Sequence, residues 1–377
     1  MALPRLPLND DPQLRGRHLL ALPDGVEADE VEVLAASRFA AARWEAGGDV
    51  PAQRGRRPLT AAFGIRITPA PAAPVLRLSR HSTLTGPYGV TPDDIVALGL
   101  PAATTQVYDV TCTRERGEPP YPGGDRNGIN RAFPDGLPVR EEQRVVQWLV
   151  DAARRLGGAV RVGGGGAILA PDIEGAIDLT VLTDRWVEPE QALAIVQRAV
   201  PRARLSLPSG AWDGPIAGAG RHAVGDSPHG ITEPGGAGLR SALDQHGVRD
   251  PDERRRLLAE AAAFDEMMLN APVAAETFGI LVDLGVDGTI AVEVGEPDEV
   301  PPLLREVEWA QRGVVAYTIH WEPIVVDELE AERPTLEHRV ARRRAASTLH
   351  TVARAVHAAV GGEIADEADF LVDPDDL

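Results

Sequence analysis

Apolar positions fall at helical spacing in one stretch near the middle of the chain and in another near its end. Over 141–156, Val145, Val146, Leu149, Ala152, Ala153 and Leu156 form one apolar stripe, which predicts a helix. Gly157-Gly158 stops it, because glycine enters left-handed backbone without a side-chain penalty. An extended segment at Ile168-Leu169 follows and ends at Pro171-Asp172. The same sentence returns as a helix over 335–360, Gly361-Gly362, an extended Leu371-Val372 and Pro374-Asp375.

The echo extends backwards. The strand-like 107–113 (VYDVTCT) is answered by 316–322 (AYTIHWE), 62–67 (AFGIRI) by 277–282 (TFGILV), and 75–78 by 289–294. A short helix opened by Pro92-Asp93 is answered by one at Pro297-Asp298, proline suiting the first helical turn. The expected fold is α+β: two related β-β-α-β-α-β modules from an internal duplication, with ferredoxin-like element order, mixed or antiparallel sheets and helices on one face. The expected division is a helical prelude and connector over 1–58, with its helix at 29–44, and a first module over 59–210. An extra β-α-β piece at 176–207 closes that module. A Gly/Pro-rich linker plus helix covers 211–272, and the second module covers 273–377.

Composition narrows the function. The apolar fraction of 44% is that of a globular protein, and the net charge of −19 excludes a general nucleic-acid surface, which needs clustered cations. No lysine occurs, so all 38 basic residues are arginine, as codon bias in a GC-rich bacterial genome would produce. The chain therefore has no Schiff-base lysine, lysine general base or phosphate-loop lysine. A single cysteine, Cys112, rules out an intrachain disulfide and is expected to be buried as a small apolar residue. No apolar run reaches membrane-span length and no secretory signal is visible, so a cytoplasmic location is expected.

Candidate chemistry concentrates in 114–135, RERGEPPYPGGDRNGINRAFPD. It is rich in Gly, Pro and Asn, yet it carries aromatic rings that disordered segments rarely hold. Tyr121, Asp125, Arg126, Asn127, Asn130 and Arg131 are the candidate ligand-binding residues, with the two arginines offering bidentate hydrogen bonds to a small anionic ligand. The competing reading pairs those arginines with Asp125, Asp135 and Glu118 to hold the loop together. DRNGIN lacks the later acids of a calcium loop, so no metal site is expected. Gly163–Gly166 follows a strand and precedes another extended segment, which fits a β-turn or bulge better than a nucleotide cradle.

His350 and His357, seven residues apart on one face of the last long helix, mark a second candidate pocket. His222, Asp226, Ser227 and His229 lie close in sequence but lack the turn and flanking elements of a hydrolase elbow. No motif assigns a cofactor. The expected function is a non-enzymatic binding, regulatory or assembly protein with a homo-oligomer or protein partner. The alternative is an enzyme that holds a small anionic or polar substrate on the arginine loop.

Overall fold

The computed structural model describes residues 3–8, 11, 13–45, 73–206, 256 and 277–377. The segments 62–67 and 211–250, the four polar residues at 222–229 and the helix expected near 252–269, apart from Arg256, lie outside them. The described residues form an α+β structure with two seven-stranded antiparallel sheets and six α-helices.

The first half runs β1 (His18–Leu22), α1 (Ala28–Arg38), β2 (Arg43–Trp44), β3 (Val75–Arg77), β4 (Thr83–Gly89), α2 (Pro92–Leu98) and β5 (Gln106–Thr111). It continues with α3 (Ile129–Ala132), α4 (Arg140–Arg155), β6 (Ala159–Arg161) and β7 (Ile168–Leu169). Across the sheet the order is β2-β3-β4-β5-β1-β6-β7. The second half runs β8 (Leu179–Thr183), α5 (Pro189–Ala199), β9 (Arg204–Ser206), β10 (Phe278–Asp283), β11 (Thr289–Gly295) and β12 (Val315–Glu322). It ends with α6 (Leu336–Val360), β13 (Glu363–Asp366) and β14 (Leu371–Val372), and its sheet order is β9-β10-β11-β12-β8-β13-β14. In each sheet the earliest strand of the half is inserted between the fourth strand and the closing hairpin.

These sheets cut the chain elsewhere than the sequence pattern suggested. β1, expected in a prelude over 1–58, pairs with both β5 and β6. Its five residues are all buried, Leu20 and Leu22 in one core and Leu19 and Ala21 in the other, so HLLAL has no alternation to reveal it. The piece at 176–207, expected to extend the first module, supplies β8 between β12 and β13, and β9 beside β10. By position in the sheet β4, not β3, stands where β11 stands. The helix expected over 29–44 stops at Arg38 and is followed by β2, and the helix expected at Pro297-Asp298 is replaced by 3-10 turns at Pro302–Leu304 and Ala310–Arg312. The element order is therefore longer than β-β-α-β-α-β in each half.

The helix ends follow local chemistry. Thr91 and Asp94 form a capping box on α2, Pro92 opens it, and Gly99 closes it at φ +66°. Thr335 caps α6 by accepting from the His338 amide at 3.3 Å. Acids Glu141 and Glu142 open α4 and Arg154 and Arg155 close it, as the helix dipole favours.

Helices α1 and α4 cover one face of the first sheet, while α2 and the N-terminal segment cover the other, so the helices are not confined to one face. Trp148 of α4 is fully buried, donates to the Leu34 carbonyl at 2.9 Å and meets Phe39 edge-on at 5.7 Å. In the second sheet α5 and α6 cover one face, and the segment around Leu304 and Trp309 covers part of the other. The halves share packing: Ala368 and Phe370, from the β13–β14 turn, belong to the core of the first half.

Candidate functional site

The loop 114–135 lies against the second half. Asp125 organises it locally: its carboxylate accepts the amides of Asn130 and Arg131, each at 2.8 Å, and so caps α3. Its own amide donates to the Glu330 carbonyl at 2.8 Å. The Asn130 side chain donates to the Gly124 carbonyl at 2.9 Å. Each arginine then reaches across. Arg131 forks onto Glu332 through Nε at 3.1 Å and Nη2 at 2.7 Å, and Arg126 pairs with Glu367 at 3.0 Å. The Asn127 carbonyl oxygen accepts from Arg154 at 2.6 Å. Five of the six candidate residues are thus fastened at this seam, whereas Tyr121 is 83% exposed and stands apart. The arginines pair with acids 201 and 241 residues away, not with Asp125, Asp135 or Glu118.

The sequence reading missed the residues that complete the seam. Arg154, only 7% exposed, also meets Asp151 at 3.2 Å and Glu367 at 3.3 Å. Arg342 of α6 pairs with Asp172 on the segment between the halves, and Arg343 grips both oxygens of Glu174 at 2.7 Å. His338 lies under Trp321, ring centroids 5.0 Å apart, and burial together with nearby Arg342 holds its imidazole below the ordinary range. Asp178 accepts the Trp321 amide at 2.9 Å. Burial pushes its carboxyl up to about 6, and it pushes that of Asp151 up to about 6 as well.

A cleft lined by Arg126, Asn127, Arg154, Asp172, Glu332 and Arg342, among others, opens here. The centre of a water-sized sphere has about 10 Å³ to move in, room for about one water. The seam is filled by its own ion pairs.

His350 and His357 are half-buried on α6. His357 Nε2 lies 3.1 Å from the Gly362 carbonyl at the helix end, and burial, then Arg354, lowers the His350 imidazole. Neither lines the seam cleft. Cys112 packs on the core of the first half, and burial, reinforced by Glu142, pushes its thiol up to about 11, which opposes a thiolate nucleophile. Nearby, His18 and Glu142 are 1% and 0% exposed and meet at 3.0 Å. The Gly163 amide donates to His18 Nδ1 at 3.1 Å, so the ring proton sits on Nε2 and points at the carboxylate.

Among the described residues no group of three or more His, Cys, Asp and Glu side chains is placed to hold a metal ion, and no helix is long and apolar enough to cross a membrane. Comparison with protein-family models, curated proteins and solved structures found no match to this chain.

Proposed function

We propose that this is a non-enzymatic binding or regulatory protein built from two duplicated α+β halves, in which the loop 114–135 is a clamp between them and not a substrate arm. The observation that carries the reading is the fate of the loop's cations: Arg126 and Arg131 are both spent on carboxylates of the other half, Glu367 and Glu332. An arm waiting for an anionic substrate would keep a guanidinium free. The duplication is supported by the matching place of the earliest strand in each sheet and by Gly157-Gly158 and Gly361-Gly362, which join α4 to β6 and α6 to β13. On this reading the halves divide near Asp172, each beginning with its own central strand.

A double-mutant cycle on Arg131→Ala and Glu332→Ala tests the clamp. Both groups are partly exposed, so a coupling of about 0.5–1 kcal/mol in chemical denaturation is expected. If each variant instead keeps wild-type stability while Arg131→Ala loses a saturable response to a small carboxylate or phosphate, the clamp reading falls and the enzyme reading takes its place. One observation favours that second reading: Asp178 and His320 interact electrostatically on the same side of the seam. Burial lowers the His320 imidazole, but Glu322, Glu293 and Asp178 together raise it above its ordinary range, and burial pushes the Asp178 carboxyl up to about 6.

A further inference from the structure

Arginines gather a second time around the hairpin turn that joins β6 to β7. The two ends of the turn, Gly163 and Gly166, pass close to other groups, while Gly164 and Gly165 between them are open. A Cβ on Gly163 would stand 2.3 Å from the Gly16 carbonyl oxygen and 2.6 Å from Arg114 Nη2, and one on Gly166 would stand 3.1 Å from Arg161 Nη2. Gly164 and Gly166 have φ of +91° and +69°, which favours glycine at both. Two guanidinium groups therefore touch one four-residue turn.

Neither cation has a counter-ion among the described residues. Arg161 is 8% exposed; its Nε donates to the Leu98 carbonyl at 3.1 Å and its Nη1 to the Arg15 carbonyl at 3.0 Å. Its Nη2, the nitrogen at the turn, has no hydrogen-bond partner among the described residues, and no carboxylate pairs with the group there. Burial, then the neighbouring Arg15, lowers its pKa, as expected for a cation taken from water without compensation. Arg114 is exposed and makes no ion pair among the described residues. In a chain with 57 acids, an unpaired buried arginine does not reflect a shortage of carboxylates. The turn adds donors. The Gly163 amide is taken by His18 and that of Gly166 by the Val162 carbonyl, whereas the amides of Gly164 and Gly165 have no partner among the described residues, and both glycines are exposed.

We propose that the Gly163–Gly166 turn, with Arg114 and Arg161, is a binding site for a small oxyanion, a phosphate or carboxylate group held by the Arg114 guanidinium, Nη2 of Arg161 and the amides of Gly164 and Gly165. The site is separate from the seam and does not rest on the clamp reading. It needs no helix N-terminus, because the arginines supply the charge and the turn supplies two exposed amides, unpaired among the described residues.

The test uses the full chain, titrated with sodium phosphate and separately with sodium acetate against sodium chloride at matched ionic strength. The readouts are melting temperature and the amide resonances of Gly164 and Gly165. A saturable rise in melting temperature with movement of those two resonances is expected for at least one anion, and the one that acts identifies the class. Arg114→Ala, at an exposed position, is expected to weaken the apparent Kd about tenfold. Gly165→Asp is expected to abolish the response by placing a carboxylate among the same donors; nothing lies within 4 Å of a Cβ there. Absence of any response beyond chloride, or a response unchanged in both variants, overturns the proposal.

Discussion

The turn between β13 and β14 and the turn between β6 and β7 hold the same place in their sheets and answer nearby arginines in opposite ways. The later turn carries its own acids: Glu367 receives Arg126 and Arg154, and Asp369, at φ +64°, receives Arg38. All three arginines come from the first half, so the turn joins the halves. The earlier turn is all glycine, and among the described residues no carboxylate pairs with Arg114 or Arg161 beside it. One scaffold position thus carries an internal anion in one half and, in the other, cationic and amide donors suited to an external one. The contrast teaches that charge at a hairpin turn can be moved between structure and binding by changing three or four residues, with the sheet left alone.

The sharpest way to break this comparison is to remove the later turn's acid. Glu367→Ala strips a carboxylate from Arg154, whose Nε already lacks a partner among the described residues. Leaving a buried guanidinium with only Asp151 and Asn127 is expected to cost about 2–4 kcal/mol in chemical denaturation, less than for a fully buried pair because Glu367 is 24% exposed. A loss under about 0.5 kcal/mol would show that the turn does not join the halves.

Acidity offers a second, smaller probe of the same seam. Asp178 has a folded pKa raised to about 6, so the native state holds its proton more tightly than the unfolded chain. The sign follows: between about pH 6 and pH 4 this group adds stability as pH falls, and above pH 6 it withholds it. Glu142 and Glu332 are shifted the other way. For Glu142 burial raises the carboxyl, but hydrogen bonds from His18, Arg116 and the Glu115 amide outweigh it; for Glu332 the hydrogen bond from Arg131 leads. Their contribution is lost only at lower pH, as it falls through their depressed values. Asp178→Asn keeps an acceptor for the Trp321 amide, and is expected to raise stability at pH 7 by about 1 kcal/mol and to flatten the slope between pH 6 and 4. An unchanged slope in melts across that range would remove Asp178 from the account.

How much of this was legible depends on range. The two helix–Gly-Gly–strand units were read from local signals, and α4, α6 and the strands after them stand where those signals put them. β1 was not, because a strand buried on both faces shows no alternation and its partners lie at 106–110 and 159–161. The loop 114–135 declared itself by composition, and Arg126 and Arg131 are central to its attachment. Their partners Glu332 and Glu367 gave no local sign, since pairing across 200 residues leaves no periodicity. Arg154 was hidden differently: a cation in the last turn of a helix is what the dipole favours anyway, so nothing distinguished it. The glycine turn was correctly read as a turn, but Arg161 and Arg114 beside it are brought there by the sheet.

The smallest expected effect is also the most direct exchange between the two turns. Gly165→Asp gives the earlier turn the acid that the later one has, at a position without positive φ and with open space around it. A carboxylate there meets exposed Arg114 and the free Nη2 of Arg161. The gain is that of a partly exposed ion pair, about 0.5–1 kcal/mol, and the reduced freedom of the unfolded chain on losing a glycine acts in the same direction. Denaturant midpoints should therefore rise, and raising the salt concentration should shrink the gain by screening the exposed part of the pair. A fall in the midpoint would mean that the arginines around this turn are already compensated, and the two turns would no longer be opposites.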